Sequence, residues 1–475
     1  MQFPEKVGKK KISIVPHSDK KFYSIAELSE SFREGHIKPS EITEFYLNNI
    51  AKKDSEIQSY QEVYIESATM TSKAADKAMS LGKRLGPFHG IPFVLKDIYD
   101  VQGKITTSGS KVFATKVADT TSTMAKRLLA AGGILLGKSK TVEFAFGGWG
   151  TNQNMGTPRN PWDKENHRIC GGSSSGSAAA LASNLAVCAT GTDTGGSVRL
   201  PAAFCGVTGL KVTKNLLSTE GITPLSHTLD TPGPMARSLL DLVVMFEVLK
   251  GTNGSEIDKE MRCKTGSFYD LIQGVSGLRI GAIDKNDRSR CSSQVLQQYD
   301  KTLGVLESQG AIIEEFSSPI DYHDMSQKTG DIISIEAYSY HGHLCEDKNN
   351  PIDQNVRQRI LKAKDFSAGQ YLKLLEDKEA NQKIFLDSIS SLDALVTPTA
   401  THEAALINEV NQEISPGHFT RPFNYTNMCA LSVPIGLGNN NLPVGFQIAA
   451  RPNNEKITLR IGGEVERNIS STLEH

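Results

Sequence analysis

The sequence predicts an α/β fold, a β-sheet covered by helices. From about residue 86, short β-rich runs at 91–95 and 133–136 alternate with helical runs such as 123–131. β-Rich runs return late in the chain, at 394–398, 432–436 and 444–448. Because such alternation builds a sheet with helical cover, we expect the late runs to rejoin the same sheet.

Three further stretches are predicted to be helical. A capping box at Ser24 and Glu27, followed by apolar residues at helical spacing after Ser40, predicts two helices over 24–53. The run 177–186 is dense in small residues, so its helix is expected in the core against the sheet. Between about 294 and 394 the chain becomes polar and helical, and we expect this segment to cover a pocket.

Length and composition predict one large domain and a small substrate. We expect a single interrupted domain over 21–470, an N-terminal extension at 1–20 and a tag remnant at 473–475. With 52 Lys and Arg against 53 Asp and Glu, the net charge of −1 predicts no binding of nucleic acid or membrane. Seven scattered cysteines without a Cys-x-x-Cys pair favour reduced thiols in the cytoplasm.

Two glycine-rich motifs have alternative interpretations. Residues 132–139 match the phosphate-loop pattern, but a helix precedes them and Gly-Ile-Leu-Leu favours a buried strand. Residues 172–176 match the nucleophile elbow of α/β-hydrolases around Ser174. The polar residues ahead of that motif give no strand signal, so we rank the elbow second.

A third motif, His341-Gly-His343-Leu-Cys345, carries metal-ligand residue types. Its surroundings predict a helix, in which positions two apart diverge, so ordinary polar packing is favoured. We therefore expect neither a metal nor a cofactor.

The segment Thr194-Gly195-Gly196-Ser197 predicts a nucleophile beside an oxyanion site. Glycines there let consecutive N–H groups point inward, as a tetrahedral oxyanion requires. A tight turn before a strand is the alternative.

A serine nucleophile needs a base, and Lys96 directly follows the apolar run 91–95, where burial would lower its pKa. A surface ion pair between Lys96 and Asp97 is the alternative there.

These motifs resemble those of the amidase signature enzymes. The similar segments are 86–97, 106–110, 171–180, 192–211, 229–237 and 442–447, and they spread over most of residues 20–465. The resemblance implies a mixed, twisted β-sheet core covered by helices on both faces. It also implies an amidohydrolase that cleaves a carboxamide C–N bond through an acyl-enzyme.

Carried over position by position, the resemblance assigns three catalytic side chains and an oxyanion site. Ser197 is the nucleophile, Lys96 the base, and Ser173 the bridging serine, held by a cis peptide bond in the family. The oxyanion donors are the backbone N–H groups of Thr194, Gly195, Gly196 and Ser197. Ser175 stands where the family most often has glycine.

The substrate is left open, because the family spans fatty, aryl and peptide amides and urea derivatives such as biuret or allophanate. We expect Gly147, Gly148, Trp149, Asn152, Tyr338 and His341 as pocket walls. Arg199 either meets a substrate carboxylate or, as we favour, braces the loop by hydrogen bonds.

The expected partner is a small-molecule amide, and a homodimer is compatible with the sequence. An A-type subunit of an amidotransferase complex ranks lower, because residues 216–227 are more similar to stand-alone amidases. An inactive binding member of the fold ranks lowest, since all three catalytic residue types are present.

Overall fold

A computed structural model describes residues 22–469, so the predicted extension at 1–20 and tag remnant at 473–475 lie outside the described residues. Its centre is one mixed sheet of eleven strands, in the order β1-β3-β2-β4-β6-β5-β10-β11-β9-β7-β8. The strands are β1 Tyr60–Val63, β2 Pro92–Lys96, β3 Ile134–Ser139, β4 Cys188–Asp193, β5 Thr208–Lys211, β6 Thr231–Ala236, β7 Arg279–Ile283, β8 Ile312–Phe316, β9 Ala394–Pro398, β10 Cys429–Leu437 and β11 Pro443–Ala450.

Helices flank this sheet. Within the described residues they are α1 Ile25–Glu34, α2 Pro39–Ile57, α3 Ile65–Ser80, α4 Thr123–Ala130, α5 Ser175–Ala182, α6 Arg199–Cys205, α7 Leu239–Lys250, α8 Gly254–Cys263, α9 Ser267–Asp270, α10 Lys285–Arg288, α11 Ser293–Ser308, α12 Tyr322–Glu346, α13 Gln354–Leu361, α14 Ala368–Ser388, α15 Arg421–Tyr425 and α16 Glu455–Ile469. The capping box predicted at Ser24 and Glu27 is present at the start of α1.

The early and late strands form one sheet, as the sequence predicts. Strand β10 pairs antiparallel with β5, with Ala430 opposite Lys211, and it pairs on its other side with β11. Strand β2 runs parallel to both β3 and β4. The carboxyl ends of β2 and β4 therefore meet at the same edge of the sheet, where ligands of α/β proteins bind.

Helix α5 lies in the core, as its small residues predict. All eight of its residues are buried, and the Ser177 hydroxyl donates to the Thr190 carbonyl oxygen of β4 at 2.8 Å. A Cβ at Gly176 would come 2.3 Å from the Ser59 carbonyl oxygen, so only glycine allows this close approach.

The segment 294–394 is only partly helical. Helices α11 to α14 occupy most of it, but β8 is an edge strand that pairs in parallel with β7. Four of the five β8 residues are at least partly exposed, so the strand lacks the apolar run that marks buried strands. No helix within residues 22–469 is long and apolar enough to cross a membrane.

Two helical glycines predict opposite effects of the same substitution. A Cβ at Gly463 in α16 would come 2.1 Å from the Leu271 carbonyl oxygen, whereas one at Gly304 in α11 meets nothing within 4 Å. We expect Gly463→Ala to lower the free energy of unfolding by about 1–3 kcal/mol. Gly304→Ala should raise it by about 0.5–1 kcal/mol because alanine favours the helix. Denaturant unfolding of both variants measures this, and a destabilising Gly304→Ala would contradict it.

Candidate active site

Lys96 is the last residue of β2 and is fully buried. Its Nζ donates to the Ser173 hydroxyl at 2.7 Å and to the Thr192 hydroxyl at 2.8 Å. Burial lowers the pKa of Lys96 to about 7, although the charges of Asp230 and Asp193 oppose this shift. The amine is therefore substantially neutral at physiological pH.

The surface ion pair between Lys96 and Asp97 is a wrong interpretation. Asp97 is also buried, and its carboxylate lies 3.4 Å from Lys138 Nζ and accepts from the Thr107 backbone N–H at 3.2 Å. Strand alternation sends Lys96 and Asp97 to opposite sides, so each finds a separate partner.

Ser173 lies in the loop before α5, and its peptide bond with Gly172 is cis. Its carbonyl oxygen accepts from the Thr141 hydroxyl at 2.9 Å and the Val142 N–H at 3.3 Å. The Gly172 N–H donates to the Gly148 carbonyl oxygen at 2.7 Å. Bonds to two other loops thus fix the hydroxyl that receives the Lys96 hydrogen bond.

Ser197 lies in the turn between β4 and α6, at the same sheet edge as Lys96. The Ser174 N–H donates to the Ser197 carbonyl oxygen at 3.3 Å, which joins the two serine-bearing segments. Ser197 is 8% exposed and lines the main cavity, whereas Ser173 and Lys96 are fully buried. A molecule in the cavity can therefore touch Ser197.

The turn around Ser197 is wrapped on the carboxylate of Asp193. This carboxylate accepts the backbone N–H groups of Gly196 at 2.8 Å and Val198 at 3.2 Å. The expectation that the Gly196 N–H belongs to the oxyanion site is wrong, because this N–H already donates to the Asp193 carboxylate. The N–H groups of Thr194, Gly195 and Ser197 donate to no residue within 22–469, so they can still receive an oxyanion.

Arg199 braces this turn and does not reach the cavity. It is fully buried, and its Nε and Nη2 donate to the two Asp193 oxygens, each at 2.9 Å. Its remaining hydrogen bonds go to the Thr420 carbonyl oxygen, the Asn424 side chain and the Gln447 side chain. Burial raises the pKa of Asp193, but the charge and hydrogen bonds of Arg199, the Lys211 charge and the Asn424 hydrogen bond together outweigh burial and hold this pKa well below its ordinary range. The assignment of Arg199 to substrate is therefore wrong, and bracing is its role.

A cavity of about 950 Å³ opens above Ser197. Three of the predicted wall residues line it: Gly147, Gly148 and Trp149. The Trp149 ring N–H donates to the Ile414 carbonyl oxygen at 2.7 Å, which fixes the ring to a loop on the opposite wall. Helices α12 and α13 supply another side through residues 323–334 and 355–362, so the predicted helical segment does border the cavity.

The other three predicted wall residues lie elsewhere. Asn152 is buried in its own loop, where its amide donates to the Gly109 and Thr141 carbonyl oxygens. Tyr338 turns outward and donates to Glu346 at 2.6 Å. His341 stacks on the Phe144 ring, with ring centroids 4.3 Å apart, and contacts the Pro224 carbonyl oxygen at 2.8 Å. Burial lowers the pKa of His341 to about 4, so it packs as a neutral ring.

The structure also decides between the alternative motifs. Residues Ile134–Ser139 form β3, and Lys138 is buried against Asp97, so this segment builds the core and no phosphate loop. Ser174 is buried, and its hydroxyl accepts from the Thr192 N–H, so it does not act as an exposed elbow serine. His341 and His343 lie on α12, one buried and one exposed. Within the described chain, no three His, Cys, Asp or Glu side chains form a metal-binding group.

Sequence reasoning missed two residues next to the Lys96 amine and one at the cavity wall. Thr192 precedes Asp193 and alternates into the site, and its hydroxyl is the second partner of Lys96. Asp230 is half-buried nearby and accepts from the Thr194 hydroxyl at 2.6 Å. Arg421 lies along Gly195, where its Cγ would be 3.2 Å from a Cβ at that position. Strand alternation could have identified Thr192, but no sequence pattern places residue 421 beside residue 195.

Comparisons with known proteins agree on one family. The model of the amidase family matches residues 41–459. The chain is 31% identical to the A-type subunit of glutamyl-tRNA(Gln) amidotransferase from Trichlorobacter lovleyi, covering 94% of this chain and 96% of that one.

Two solved structures have the same fold. The first is a protein of a vestigial complex that bears on the origins of an s-triazine catabolic enzyme, with a TM-score of 0.84, 27% identity and coverage of 94% of this chain and 99% of that one. The second is peptide amidase from Stenotrophomonas maltophilia, with a TM-score of 0.82, 25% identity and coverage of 96% and 98%.

The buried Arg199 charge predicts a large loss of stability when it is removed. Arg199→Met leaves the Asp193 carboxylate buried without a counter-charge, and we expect a loss of about 3–5 kcal/mol in the free energy of unfolding. Arg279→Met is the matched control, because Arg279 pairs with Glu314 on the solvent-exposed edge of the sheet. Denaturant unfolding should show a much smaller change for the control. Equal losses in the two variants would contradict the bracing role.

Proposed function

Since the chain belongs to the amidase family, we propose that it is an amidohydrolase that cleaves a carboxamide C–N bond through an acyl-enzyme on Ser197. The observation that carries this proposal is the fully buried Lys96 amine, 2.7 Å from the Ser173 hydroxyl, beside a turn that presents Ser197 to the cavity. A neutral amine, two serines and free backbone N–H groups supply what acyl transfer needs.

In the proposed reaction, neutral Lys96 accepts the Ser173 proton while Ser173 accepts that of Ser197. The Ser197 oxygen then forms a bond to the amide carbonyl carbon, and the negative charge moves to the carbonyl oxygen. The N–H groups of Thr194, Gly195 and Ser197 stabilise this charge. The C–N bond breaks as Ser173 returns the proton to the leaving nitrogen, and Lys96 restores the Ser173 proton. Water cleaves the acyl-enzyme by the same proton path, which releases the carboxylic acid.

A second candidate function is that of an amidotransferase component, which passes the released ammonia to a partner. The 31% identity with an A-type amidotransferase subunit over nearly the whole chain favours it. Size-exclusion chromatography of the purified chain, with an assay of ammonia release from simple amides, separates the two. Turnover without partner chains supports the hydrolase. Inactivity that is relieved only by partner subunits supports the amidotransferase. The same chromatography tests whether the chain forms a homodimer.

The compounds assayed for ammonia release should include ureido compounds such as biuret, because one similar structure concerns the origins of an s-triazine catabolic enzyme.

We also propose a cytoplasmic location. The seven cysteines all lie within the described residues and are all free thiols, which supports a reducing compartment.

Ser197→Ala should abolish turnover, because the variant has no oxygen to form the acyl-enzyme. We expect a loss of at least about 10³-fold in kcat/KM with an unchanged free energy of unfolding. Ser174→Ala is the matched control, since Ser174 neighbours the site but lies buried outside the cavity. Ammonia release and acyl-enzyme mass spectrometry measure the effect. An active Ser197→Ala variant would rule out the scheme.

The pKa of Lys96 predicts the pH dependence of the reaction. Only the neutral amine accepts a proton, and burial lowers its pKa to about 7, so kcat/KM should rise with pH and level off above about 7. Thr192→Val removes an acceptor that favours the ammonium form, so its rise should move to lower pH. Steady-state kinetics from about pH 5 to 9 measure both. A profile that rises only above about pH 9 would contradict a neutral Lys96.

A further inference from the structure

We propose that the cavity above Ser197 selects amides that also carry a carboxylate, and that Arg421 binds this carboxylate. The inference rests on the proposed amide cleavage at Ser197 and deepens it by naming the substrate class. It is carried by the position of Arg421 beside the oxyanion turn and by the lack of an acidic partner for its charge among the described residues.

Arg421 is built into the wall next to the reacting groups. Its side chain lies along Gly195, where a Cβ would come 3.2 Å from Arg421 Cγ, and reaches Gly330 on α12, where a Cβ would come 3.1 Å from Nη1. The preceding residue, Thr420, donates its hydroxyl to the Gly195 carbonyl oxygen at 2.8 Å. The guanidinium is therefore held at a fixed place between the oxyanion turn and α12.

Most of the donors of Arg421 have no partner among the described residues. A guanidinium has five N–H donors. Within residues 22–469, one hydrogen bond is found for this group, from Nη1 to the Ser326 carbonyl oxygen at 3.2 Å. No described carboxylate lies within 4.0 Å of it. The remaining donors suit the planar, bidentate geometry of a carboxylate.

The acidic residues of the cavity do not neutralise this charge. Asp331 pairs with Lys362 at 2.9 Å, and Glu413 is exposed at the rim. A second arginine at the wall, Arg359, donates within residues 22–469 to neutral acceptors, which are the Phe146 carbonyl oxygen and the backbone and side-chain oxygens of Gln412. The cavity is lined by four Lys and Arg side chains against two acids, so it favours an anion.

The charge of Arg421 persists at neutral pH. Burial and the nearby Arg359 charge lower the pKa of Arg421 to about 10, while the Asp331 charge opposes this shift. A half-buried, charged guanidinium bound to one neutral carbonyl gains strongly from a bound anion, because hydrogen bonds between charged groups are the strong ones. The proposed substrate therefore carries a net negative charge.

Succinamate and butyramide form a matched pair of probes, because they differ by a terminal carboxylate in place of a methyl group. We expect the wild-type protein to cleave succinamate with a kcat/KM at least about tenfold above that for butyramide. Arg421→Gln should reduce this ratio at least about tenfold, and Arg421→Lys should restore part of it, since lysine keeps the charge without the fork. The control Arg279→Gln removes an exposed charge that does not line the cavity and should change the ratio less than about threefold.

Binding separates this inference from the proposed function. Calorimetric titration of succinamate into Ser197→Ala needs no turnover, and we expect binding that weakens at least about tenfold in the double variant Ser197→Ala, Arg421→Gln. Equal binding by both proteins, or none by either, overturns the carboxylate site even if amides are cleaved. Binding that depends on Arg421, without turnover of any amide by the wild-type protein, supports the site and counts against the hydrolase. Thermal unfolding of each variant confirms that it is folded.

Discussion

The Lys96 amine lies in the interior of the protein with two hydroxyl partners and no described carboxylate within ion-pair distance. A charged ammonium in such a place costs far more than a neutral amine, so the fold itself favours the basic form. The sheet creates this environment. Strand β2 is flanked by β3 and β4, both parallel to it, and the Lys96 backbone N–H donates to the Thr190 hydroxyl at 3.0 Å. The chemistry of the site therefore depends on where β2 ends.

The proposed reaction also requires a turn that exposes Ser197 to the cavity and leaves neighbouring backbone N–H groups available to an oxyanion. The Asp193 carboxylate holds the turn from inside by accepting two of its N–H groups, and Arg199 holds the carboxylate. Arg199 in turn bonds to Gln447 of β11 and Asn424 of α15. This one ion pair thus connects the early strands, which carry the lysine, to the late strands of the same sheet. A buried ion pair of this kind costs desolvation, and its benefit here is the shape of the turn.

The fold class and the serine- and lysine-bearing segments could be predicted from the sequence because their signals are local. Apolar runs marked the buried strands, and Thr-Gly-Gly-Ser at 194–197 marked the turn. The wall residues could not be predicted, because they come from loops that meet only after folding. Asn152 and His341 are polar residues that pack against neighbouring segments of the protein. Arg421 lies beside Gly195 in the fold but is far from it in the sequence. Strand β8 was missed because an exposed edge strand has no apolar run.

Direct titration of the Lys96 side chain tests whether its amine is a base near neutral pH. Lysine labelled with ¹³C at Cε gives a chemical shift for each amine in nuclear magnetic resonance spectra, and Lys96→Met identifies the signal of Lys96. We expect a titration midpoint at about pH 7 for this signal, and at about pH 10 for most other lysines. A midpoint at about pH 10 for Lys96 would show that the amine is charged at neutral pH and does not act as the base.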